Sequence, residues 1–380
     1  MSLRLRLIAW YVAAVGALGV APYLSVVLAD KGITDQQIAQ FMAVLPVAAL
    51  LAAPLWSFAA DRFGHAHVLL TLTTVGVTVG MGMLAGTATV PLLAAGMVLY
   101  AVSRAPQVPI VDALTLQSLK DDGASYGRIR LWGSVAFLIV AFSAGWLRTL
   151  WAPAPLVMGA LLLSLTIPVS RLLPRSETPF ARPTLRVLMG AMARPSTIAL
   201  ALACVLQGLS LSFYNGFIGR HVETLGLSST IIGTIAVVGV GVEVGVMAIS
   251  PWLLQRVAPS RLLVVALLAS VPRWLGTAWS TEAVPLVAYQ ALHGLSFGLF
   301  WVAADPAFAK HAPPSVARSA QSLLTATAFG IGPLLSLPLA WWTLASAPPA
   351  ALYEVGAVAS ALGLLVLLPV AVRARSSQAD

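Results

Sequence analysis

Five ionisable side chains stand in otherwise apolar stretches of the sequence, and their types are suited to chemistry. Arg104 and Asp112 share the stretch VSRAPQVPIVDALTLQ, while Glu243, Arg273 and His293 stand in later apolar runs. Carboxyl and imidazole groups take up and release protons, and a guanidinium group binds anions. These residues therefore suggest proton transfer and the binding of a polar or anionic ligand.

The amino-acid composition indicates the class of protein in which these side chains lie. Of the 380 residues, 59% are hydrophobic and 9% are charged, whereas soluble domains carry about 25% charged residues. Apolar runs long enough to cross a bilayer recur along the whole chain. The first run follows Arg4 and Arg6, and its length favours a retained helix over a cleaved signal peptide. We therefore expect an all-α integral membrane protein.

Breaks at charged and Pro/Gly-rich connections predict about twelve transmembrane helices. They cover residues 7–29, 38–60, 68–88, 91–118, 129–150, 155–173, 196–219, 229–254, 261–280, 284–308, 318–343 and 351–373. The longest polar break predicts an N-terminal six-helix half (1–173), a cytoplasmic linker (174–195) and a C-terminal six-helix half (196–380). Two related halves with a polar site near the bilayer midplane are typical of secondary transporters.

Basic residues indicate the orientation in the membrane. Seventeen of the 22 Lys and Arg residues fall in segments on one predicted side, against three on the other, namely Lys31, Arg148 and Arg220. Because basic loops stay in the cytoplasm, we expect both termini there. The net charge of +9 is then explained by membrane topology, and we expect no nucleic-acid partner.

Several chemistries are disfavoured by what the sequence lacks. Cys204 is the only cysteine, which argues against internal disulfides and cysteine-clustered metal sites. The sequence contains no G-x-x-x-x-G-K-[ST] phosphate loop and no extramembrane segment long enough for a catalytic domain. We expect no cofactor, no metal and no enzyme activity. The alternatives are a membrane-embedded enzyme acting on lipid and a sensor or scaffold with an inactive transporter fold.

Segments along nearly the whole chain resemble one branch of the major facilitator superfamily, which contains lactose permease, nucleoside–proton symporters and the 3-phenylpropionate permease group. The similar segments are GALGVAPYLSVVL (16–28), DRFG (61–64), YGRIRLWGSVAF (126–137), VPRWLG (271–276) and LHGLSFGLF (292–300). The resemblance implies two pseudo-symmetric six-helix halves. It also implies a multi-pass, monomeric protein of the bacterial cytoplasmic (inner) membrane.

The resemblance assigns roles to individual residues. Asp112 stands where the lactose-permease branch has a substrate-binding acid, and Arg130 where it has that acid's arginine partner. Phe137 occupies the position of an aromatic ring that stacks on sugar. Arg273 and His293 match the arginine and histidine of the proton-coupling cluster.

The chain departs from the family pattern at the end of the second predicted span and in the loop after it, where Ser57 replaces a glycine and His65 and His67 replace basic residues. A further departure concerns proton coupling. Ser296 stands where the permease has its proton-carrying glutamate. Glu243 resembles an acid typical of the 3-phenylpropionate group, and we expect it to carry the proton instead. A carboxyl group removed from water favours its protonated form. Small residues that let another helix approach surround it: Gly233, Gly239, Gly241 and Gly245.

Each assignment also has a structural alternative. Asp112 and Arg130 can form a charge pair that fixes two helices, Glu243 can be a neutral hydrogen-bonded group, and His293 can be a packed core histidine. Further candidates, of lower specificity, are Asn215 and Gln290 for substrate binding, and Asp61, Arg62 and Asp305 as gate or loop-anchoring residues. Candidate membrane-interface anchors or lipid-facing side chains are Trp10, Trp56, Trp132, Trp274 and Trp301.

These features predict a proton-coupled symporter of a small organic anion, such as an aromatic monocarboxylate. Arg104, Arg130 and Arg273 outnumber the central acids Asp112 and Glu243 by one, which favours an anion. The expected partners are the small-molecule substrate, protons and the lipid bilayer. Proton symport of a neutral sugar or nucleoside is the alternative, and efflux of hydrophobic compounds is a third.

Overall fold

The computed structural model describes residues 2–63, 66–119, 123–173, 195–311 and 326–376. The α-helices are α1 (Leu3–Gly16), α2 (Leu24–Asp30), α3 (Asp35–Phe63), α4 (Ala66–Gly86), α5 (Val90–Arg104), α6 (Gln107–Ser118), α7 (Gly123–Leu150), α8 (Ala154–Arg171), α9 (Pro195–Thr224), α10 (Thr230–Arg256), α11 (Pro259–Trp279), α12 (Ala283–Gln290), α13 (Phe300–His311), α14 (Gly332–Thr343) and α15 (Ala350–Ser376). A 3₁₀ segment (Ala17–Tyr23) joins α1 to α2, and π-helical segments (Gly294–Leu299 and Ala326–Ile331) precede α13 and α14. The described ranges contain no strand, and the prediction of an all-α membrane fold is confirmed.

Within the described residues, ten helical stretches are long and apolar enough to cross a membrane. The predicted span 91–118 is not among them because it divides into α5 and α6, both of which are too short to be counted alone. The predicted span 318–343 begins outside the described residues. The two differences from the predicted twelve thus have separate causes, a helix break and a segment that is described in part.

The break between α5 and α6 follows from Pro106. Proline has no backbone N–H, so it cannot donate to the carbonyl of Val102 four residues earlier. The indole Nε1 of Trp56 donates to that carbonyl oxygen instead, at 3.1 Å. Trp56 therefore satisfies the carbonyl group that the helix break leaves without its usual donor.

Two compact units make up the chain. Unit 1 comprises Met1–Ala181 and Ser228–Thr234, and unit 2 comprises Arg182–Leu227 and Ile235–Asp380. The first turn of α10 thus belongs to unit 1, although it follows the predicted linker in sequence. The linker residues 174–194 lie outside the described part of the chain.

The turns after α2 and α9 have the same construction. Gly32 and Gly226 adopt positive φ angles of 80° and 70°. The following residues donate backbone hydrogen bonds back into the helix, Ile33 to Leu28 and Leu227 to Val222, at 3.2 Å each. This arrangement is a Schellman motif, which favours glycine because it lacks a Cβ atom.

A capping box starts α3, the helix after the first of these turns. Thr34 Oγ1 accepts from the backbone N–H of Gln37, and Gln37 Oε1 accepts from the backbone N–H of Thr34. Two backbone N–H groups that the helix leaves free are satisfied in this way. The turn and the cap together fix where α3 begins.

Each unit has a hydrophobic core that includes a completely buried tryptophan. In unit 1, Trp10 Nε1 donates to Ser170 Oγ at 3.2 Å, and in unit 2, Trp274 Nε1 donates to Ser360 Oγ at 3.1 Å. An indole N–H needs such an acceptor when it is buried. The prediction that Trp10 and Trp274 are interface anchors is therefore wrong, since both are core residues.

Candidate functional site

In unit 2, the imidazole of His293 contacts the carboxyl group of Glu243. Nε2 of His293 lies 3.1 Å from Oε2 of Glu243, and their side chains are 8% and 14% exposed. Nδ1 of His293 is buried without a hydrogen-bond partner among the described residues. The pair can therefore hold one proton in its hydrogen bond, either on the imidazole or on the carboxyl group.

Glycines bring the two segments of this pair together. A Cβ atom on Gly239 would lie 3.2 Å from Cβ of His293, and one on Gly298 would lie 3.1 Å from Cγ of Glu243. Gly294 is closer still, since its Cβ would lie 2.6 Å from Val242. The prediction that glycines allow close approach applies to Gly233 and Gly239. It is wrong for Gly241 and Gly245, where a Cβ would have no described atom within 4 Å.

Arg273 is completely buried beside this pair. Its Nε and Nη2 donate to Oε1 of Gln290 at 3.2 Å each, and its Nη1 donates to Oγ of Ser296 at 3.1 Å. Its Cζ atom lies 4.5 Å from the ring centroid of Tyr214 and 4.2 Å from that of Trp274. Neutral oxygens and aromatic faces thus hold the guanidinium group, and its charge interacts with that of Glu243.

Gln290, a predicted substrate-binding residue, is fully buried in this conformation. Its Oε1 accepts from Arg273, and its Nε2 donates to Oγ1 of Thr277 at 2.8 Å. Both ends of the amide are therefore engaged within unit 2. The side chain positions Arg273 rather than facing open space.

Ser296, the position that departs from the permease pattern, extends this network. Its backbone oxygen accepts from Nε2 of Gln207 at 2.8 Å, and Gln207 also bonds to Ser270 at 3.1 Å. Ser296 lies in the π-helical segment Gly294–Leu299, and π-helical segments frequently occur at functional sites. Gln207, a polar side chain on the otherwise apolar α9, thus holds this segment within unit 2.

In unit 1, the carboxylate of Asp112 contacts the side chains of Tyr11 and Arg130, among others. Oη of Tyr11 donates to Oδ1 of Asp112 at 2.6 Å, and Nη1 of Arg130 lies 3.4 Å from the same oxygen. Oη of Tyr11 also lies 3.3 Å from Oγ1 of Thr115. Arg130 and Asp112 are both half-buried, so they are accessible to a ligand. Tyr11 was missed in the sequence, where a single tyrosine in an apolar helix carries no distinctive signal.

Arg104 lies at the C-terminal end of α5, where its charge complements the helix dipole. Its Cζ atom is 6.0 Å from the ring centroid of Tyr100. It lines a small cavity with Tyr100 and Gln107, and no carboxylate of the described residues lies within 4 Å of it. Arg104 is therefore a half-buried cation without a described acidic partner.

The other predicted residues lie at separate positions. Phe137 is half-buried on α7, and Asn215 is exposed on α9. Asp305 is half-buried on α13, immediately before Pro306. Asp61 and Arg62 belong to α3, and their side chains lie outside the described part of the structure.

Comparisons with known proteins give consistent results. A family model described as the MFS_1 like family matches residues 5–337. The maltose permease of Geobacillus stearothermophilus is 30% identical over 362 residues, which cover 94% of this chain and 91% of the permease. The probable 3-phenylpropionic acid transporter of Escherichia coli (strain K12) is 30% identical over 320 residues, which cover 81% of this chain and 82% of that protein.

A solved structure has a similar fold. The crystal structure of the nucleoside transporter NupG has a TM-score of 0.80, with 16% sequence identity. The alignment covers 97% of this chain and 98% of that one. At this identity the likeness shows the fold alone.

Proposed function

Because the chain belongs to the MFS_1-like family of membrane transporters, we propose that it is a proton-coupled secondary transporter of a small organic anion. The proposed cargo class is an aromatic monocarboxylate such as 3-phenylpropionate, moved by alternating access. The contact between Glu243 and His293 beside the buried Arg273 is the observation that carries this proposal.

The charges of unit 2 suggest how a proton and an anion are linked. While Glu243 is ionised, its negative charge offsets the positive charge of Arg273. When Glu243 takes up a proton, that offset is lost, and a buried positive charge without a counter-charge is costly. The uncompensated positive charge then favours binding of an anion by the transporter, so that proton and anion favour each other's binding.

The residues that we propose to bind the substrate lie mainly in unit 1. Arg104 and Arg130 would bind the carboxylate, because a guanidinium group suits that geometry. Asp112 would hold Arg130, and Phe137 would offer an aromatic face. The name of the Escherichia coli relative, which is 30% identical, supports an aromatic acid.

The same residues support a second candidate, proton symport of a neutral sugar or nucleoside. Asp112 and Tyr11 offer an acceptor and a hydroxyl group of the kind that bind sugar hydroxyls. The relative with the longer alignment is named maltose permease. Efflux of hydrophobic compounds is a third cargo class, without a comparable observation.

We further propose that the protein lies in the bacterial cytoplasmic membrane as a monomer with both termini in the cytoplasm. The distribution of Lys and Arg supports this orientation. Asp61, Arg62 and Asp305 would then lie toward the cytoplasmic ends of their helices, as expected of gating residues.

The test uses purified protein in liposomes that contain a pH-sensitive dye. 3-Phenylpropionate, maltose and a nucleoside are added outside, and proton entry is recorded for the wild type, Glu243→Gln and the control Glu282→Gln. Glu282 is an exposed carboxyl group on the connection to α12, so its substitution removes a charge without touching the site.

We expect 3-phenylpropionate to drive proton entry in the wild type and in Glu282→Gln, and not in Glu243→Gln. Protein-free liposomes correct for passive entry of the weak acid. Proton entry with maltose or the nucleoside alone would instead favour the second candidate. Normal proton-coupled accumulation in Glu243→Gln would refute the assignment of Glu243 as proton carrier.

A further inference from the structure

The C-terminal end of α10 carries an arginine that stacks on an exposed tryptophan. Cζ of Arg256 lies 4.3 Å from the ring centroid of Trp252, and the tryptophan is 55% exposed. The two residues are four positions apart, so they lie on one face of the helix. A cation–π contact of this kind fixes the plane of the guanidinium group. It does so here on an open surface of unit 2.

The local sequence keeps the helix intact up to this stack. Pro251, one position before Trp252, has no backbone N–H to donate to the carbonyl of Met247. Oγ of Ser250 donates to that oxygen instead, at 2.7 Å. The helix therefore continues through the proline to its last residue, Arg256, and the two stacked side chains stand on successive turns.

The stack leaves the hydrogen-bond donors of Arg256 open. The indole covers one face of the guanidinium group, whereas its five N–H groups point outward in its plane. Among the described residues, no carboxylate lies within 4 Å of Arg256 and no atom accepts a hydrogen bond from it. Glu243, the only acid of α10, contacts His293 instead. Arg256 therefore presents a charged group with donors for an acceptor other than these residues.

A second arginine follows at the start of the next helix. Arg261 lies in the first turn of α11 and is half-buried. It too has no carboxylate within 4 Å among the described residues. Arg256 and Arg261 both fall on the predicted cytoplasmic side of the membrane. Two positive charges five positions apart at a membrane surface favour a negatively charged ligand.

An open apolar track leads away from the stack along α10. The track consists of Gly241, Gly245 and Ala248, which precede Trp252 at spacings of four, three and four residues and therefore share its helix face. A Cβ atom on Gly241 or Gly245 would have no described atom within 4 Å, and Ala248 is exposed. The track can therefore receive an apolar chain that lies against the helix.

The length of the track matches an acyl chain in one leaflet of a bilayer. Gly245 and Arg256 are eleven residues apart, which is about 16 Å along the helix axis at 1.5 Å per residue. Half of the hydrocarbon core of a bilayer is about 15 Å thick. A lipid whose headgroup lies at Arg256 can therefore extend an acyl chain past Trp252 and Ala248 as far as Gly245.

We propose that this face of α10 binds an anionic phospholipid such as phosphatidylglycerol. Arg256 and Arg261 bind its phosphate group, since guanidinium groups bind phosphate oxygens in bidentate geometry. Trp252 contacts the glycerol backbone, and the track holds an acyl chain. The inference goes beyond the proposed transport activity and rests only on the proposed orientation, which places this end of α10 toward the cytoplasm.

The test measures lipid binding to the purified full-length protein in a neutral detergent. Native mass spectrometry gives the apparent Kd for phosphatidylglycerol and for phosphatidylcholine with the same acyl chains. Inorganic phosphate is added as a competitor in a separate arm, because a free anion offers the same acceptor oxygens. The variants are Arg256→Gln and Gly245→Leu. The control is Arg171→Gln, which removes an exposed arginine on the same predicted side of the membrane.

We expect Arg256→Gln to raise the apparent Kd for phosphatidylglycerol about five- to tenfold, because a charged contact with the phosphate group is lost. Gly245→Leu fills the track and should raise that Kd about threefold. Arg171→Gln should leave it within about twofold of the wild type. Phosphatidylcholine should bind the wild type about fivefold more weakly, and inorganic phosphate should not displace phosphatidylglycerol.

Three results would overturn the proposal. Equal losses in Arg256→Gln and Arg171→Gln would show a general effect of positive charge, and equal Kd values for the two lipids would show that charge is not recognised. Displacement of phosphatidylglycerol by inorganic phosphate would show a site for free anions. If Arg256→Gln does not fold, Gly245→Leu carries the test, and an unchanged Kd in that variant would refute the site. Lipid binding needs no transport, so the result does not depend on the proposed cargo or on proton coupling.

Discussion

Nε2 of His293 lies 3.1 Å from Oε2 of Glu243, and the two residues are 50 positions apart in the sequence. The contact joins α10 to the segment just before the π-helical turn Gly294–Leu299. Glycines at the crossing let the backbones approach closely enough for the two side chains to meet. The geometry leads to predictions about coupling, ligand binding and stability.

Replacing His293 by Gln should uncouple substrate movement from proton movement. The amide keeps a hydrogen bond to Glu243 but does not accept a proton, so we expect net proton-coupled uptake to fall by about 10²-fold. Exchange of substrate should stay within about threefold. The measurement is the ratio of the two rates as a function of pH. The control is Tyr289→Phe, at an exposed tyrosine of the same unit. A ratio equal to that of the wild type at every pH would contradict the prediction.

Replacing Arg273 by Lys should destabilise unit 2. The planar guanidinium makes three hydrogen bonds and lies over two aromatic rings, which an ammonium group cannot reproduce. We expect a loss of about 2–4 kcal/mol in the free energy of unfolding. Thermal unfolding of the purified protein in detergent would show a lower Tm. The exposed Arg4→Lys should leave Tm unchanged, and an equal Tm for both variants would refute this account.

The ion pair between Asp30 and Arg148 should stabilise unit 1. Nη1 and Nη2 of Arg148 donate to the two carboxylate oxygens at 2.6 and 3.0 Å, and Nε donates to Ser229 Oγ at 3.2 Å. The side chain of Arg148 is 7% exposed. Since Asp30→Asn leaves a buried charge underpaired, we expect a loss of about 1–3 kcal/mol in the free energy of unfolding.

The matched control for this pair is Glu223→Gln, which removes an ion pair within one helix to Arg220. Such i,i+3 pairs within one helix contribute about 0.3–0.5 kcal/mol. Urea or thermal unfolding should therefore give a clearly larger loss for Asp30→Asn. Losses of the same size would mean that the burial and bidentate geometry of Arg148 add nothing to the free energy of unfolding.

Tyr11→Phe should weaken ligand binding through Asp112. The hydroxyl of Tyr11 donates at 2.6 Å to the oxygen that also faces Arg130. Without this hydroxyl, the carboxylate is free to reorient. We expect KM for uptake to rise about three- to tenfold, which corresponds to the free energy of about one hydrogen bond. The maximal rate and Tm should change little. A fall in maximal rate with an unchanged KM would contradict a positioning role.

Gly208 should tolerate no side chain. A Cβ atom there would overlap the backbone oxygen of Ala328, and one on Gly332 would lie 2.5 Å from the backbone oxygen of Val205. Backbone atoms cannot move aside cheaply in a packed interior. We expect Gly208→Ala to abolish folded protein in size-exclusion chromatography, whereas Gly245→Ala, where no described atom lies within 4 Å, should fold normally. A normally folded Gly208→Ala would show that this crossing is less tight.

Properties that depend on local sequence were predictable. The apolar runs gave the membrane class and the all-α fold, because each span must satisfy its own backbone hydrogen bonds. The break near Pro106 follows from a missing N–H, a property of one residue. The interface role expected for Trp10 and Trp274 was wrong, because both are completely buried. A tryptophan in an apolar helix looks the same in sequence whether it faces lipid or core, and only the position of its hydrogen-bond acceptor distinguishes the two.

The sequence by itself determined which residues are costly to place in a membrane: Arg104, Asp112, Glu243, Arg273 and His293. Only the tertiary structure decided their partners. Glu243 meets His293, and Arg273 binds Gln290 and Ser296. Tyr11, which no pattern identified, holds Asp112. Which side chains on separate helices meet depends on how each helix is rotated about its axis and how closely the helices pack. Close contacts, such as that of Gly239 with His293, fix both the rotation and the distance. Those contacts join residues far apart in the chain, so helical periodicity does not reveal them.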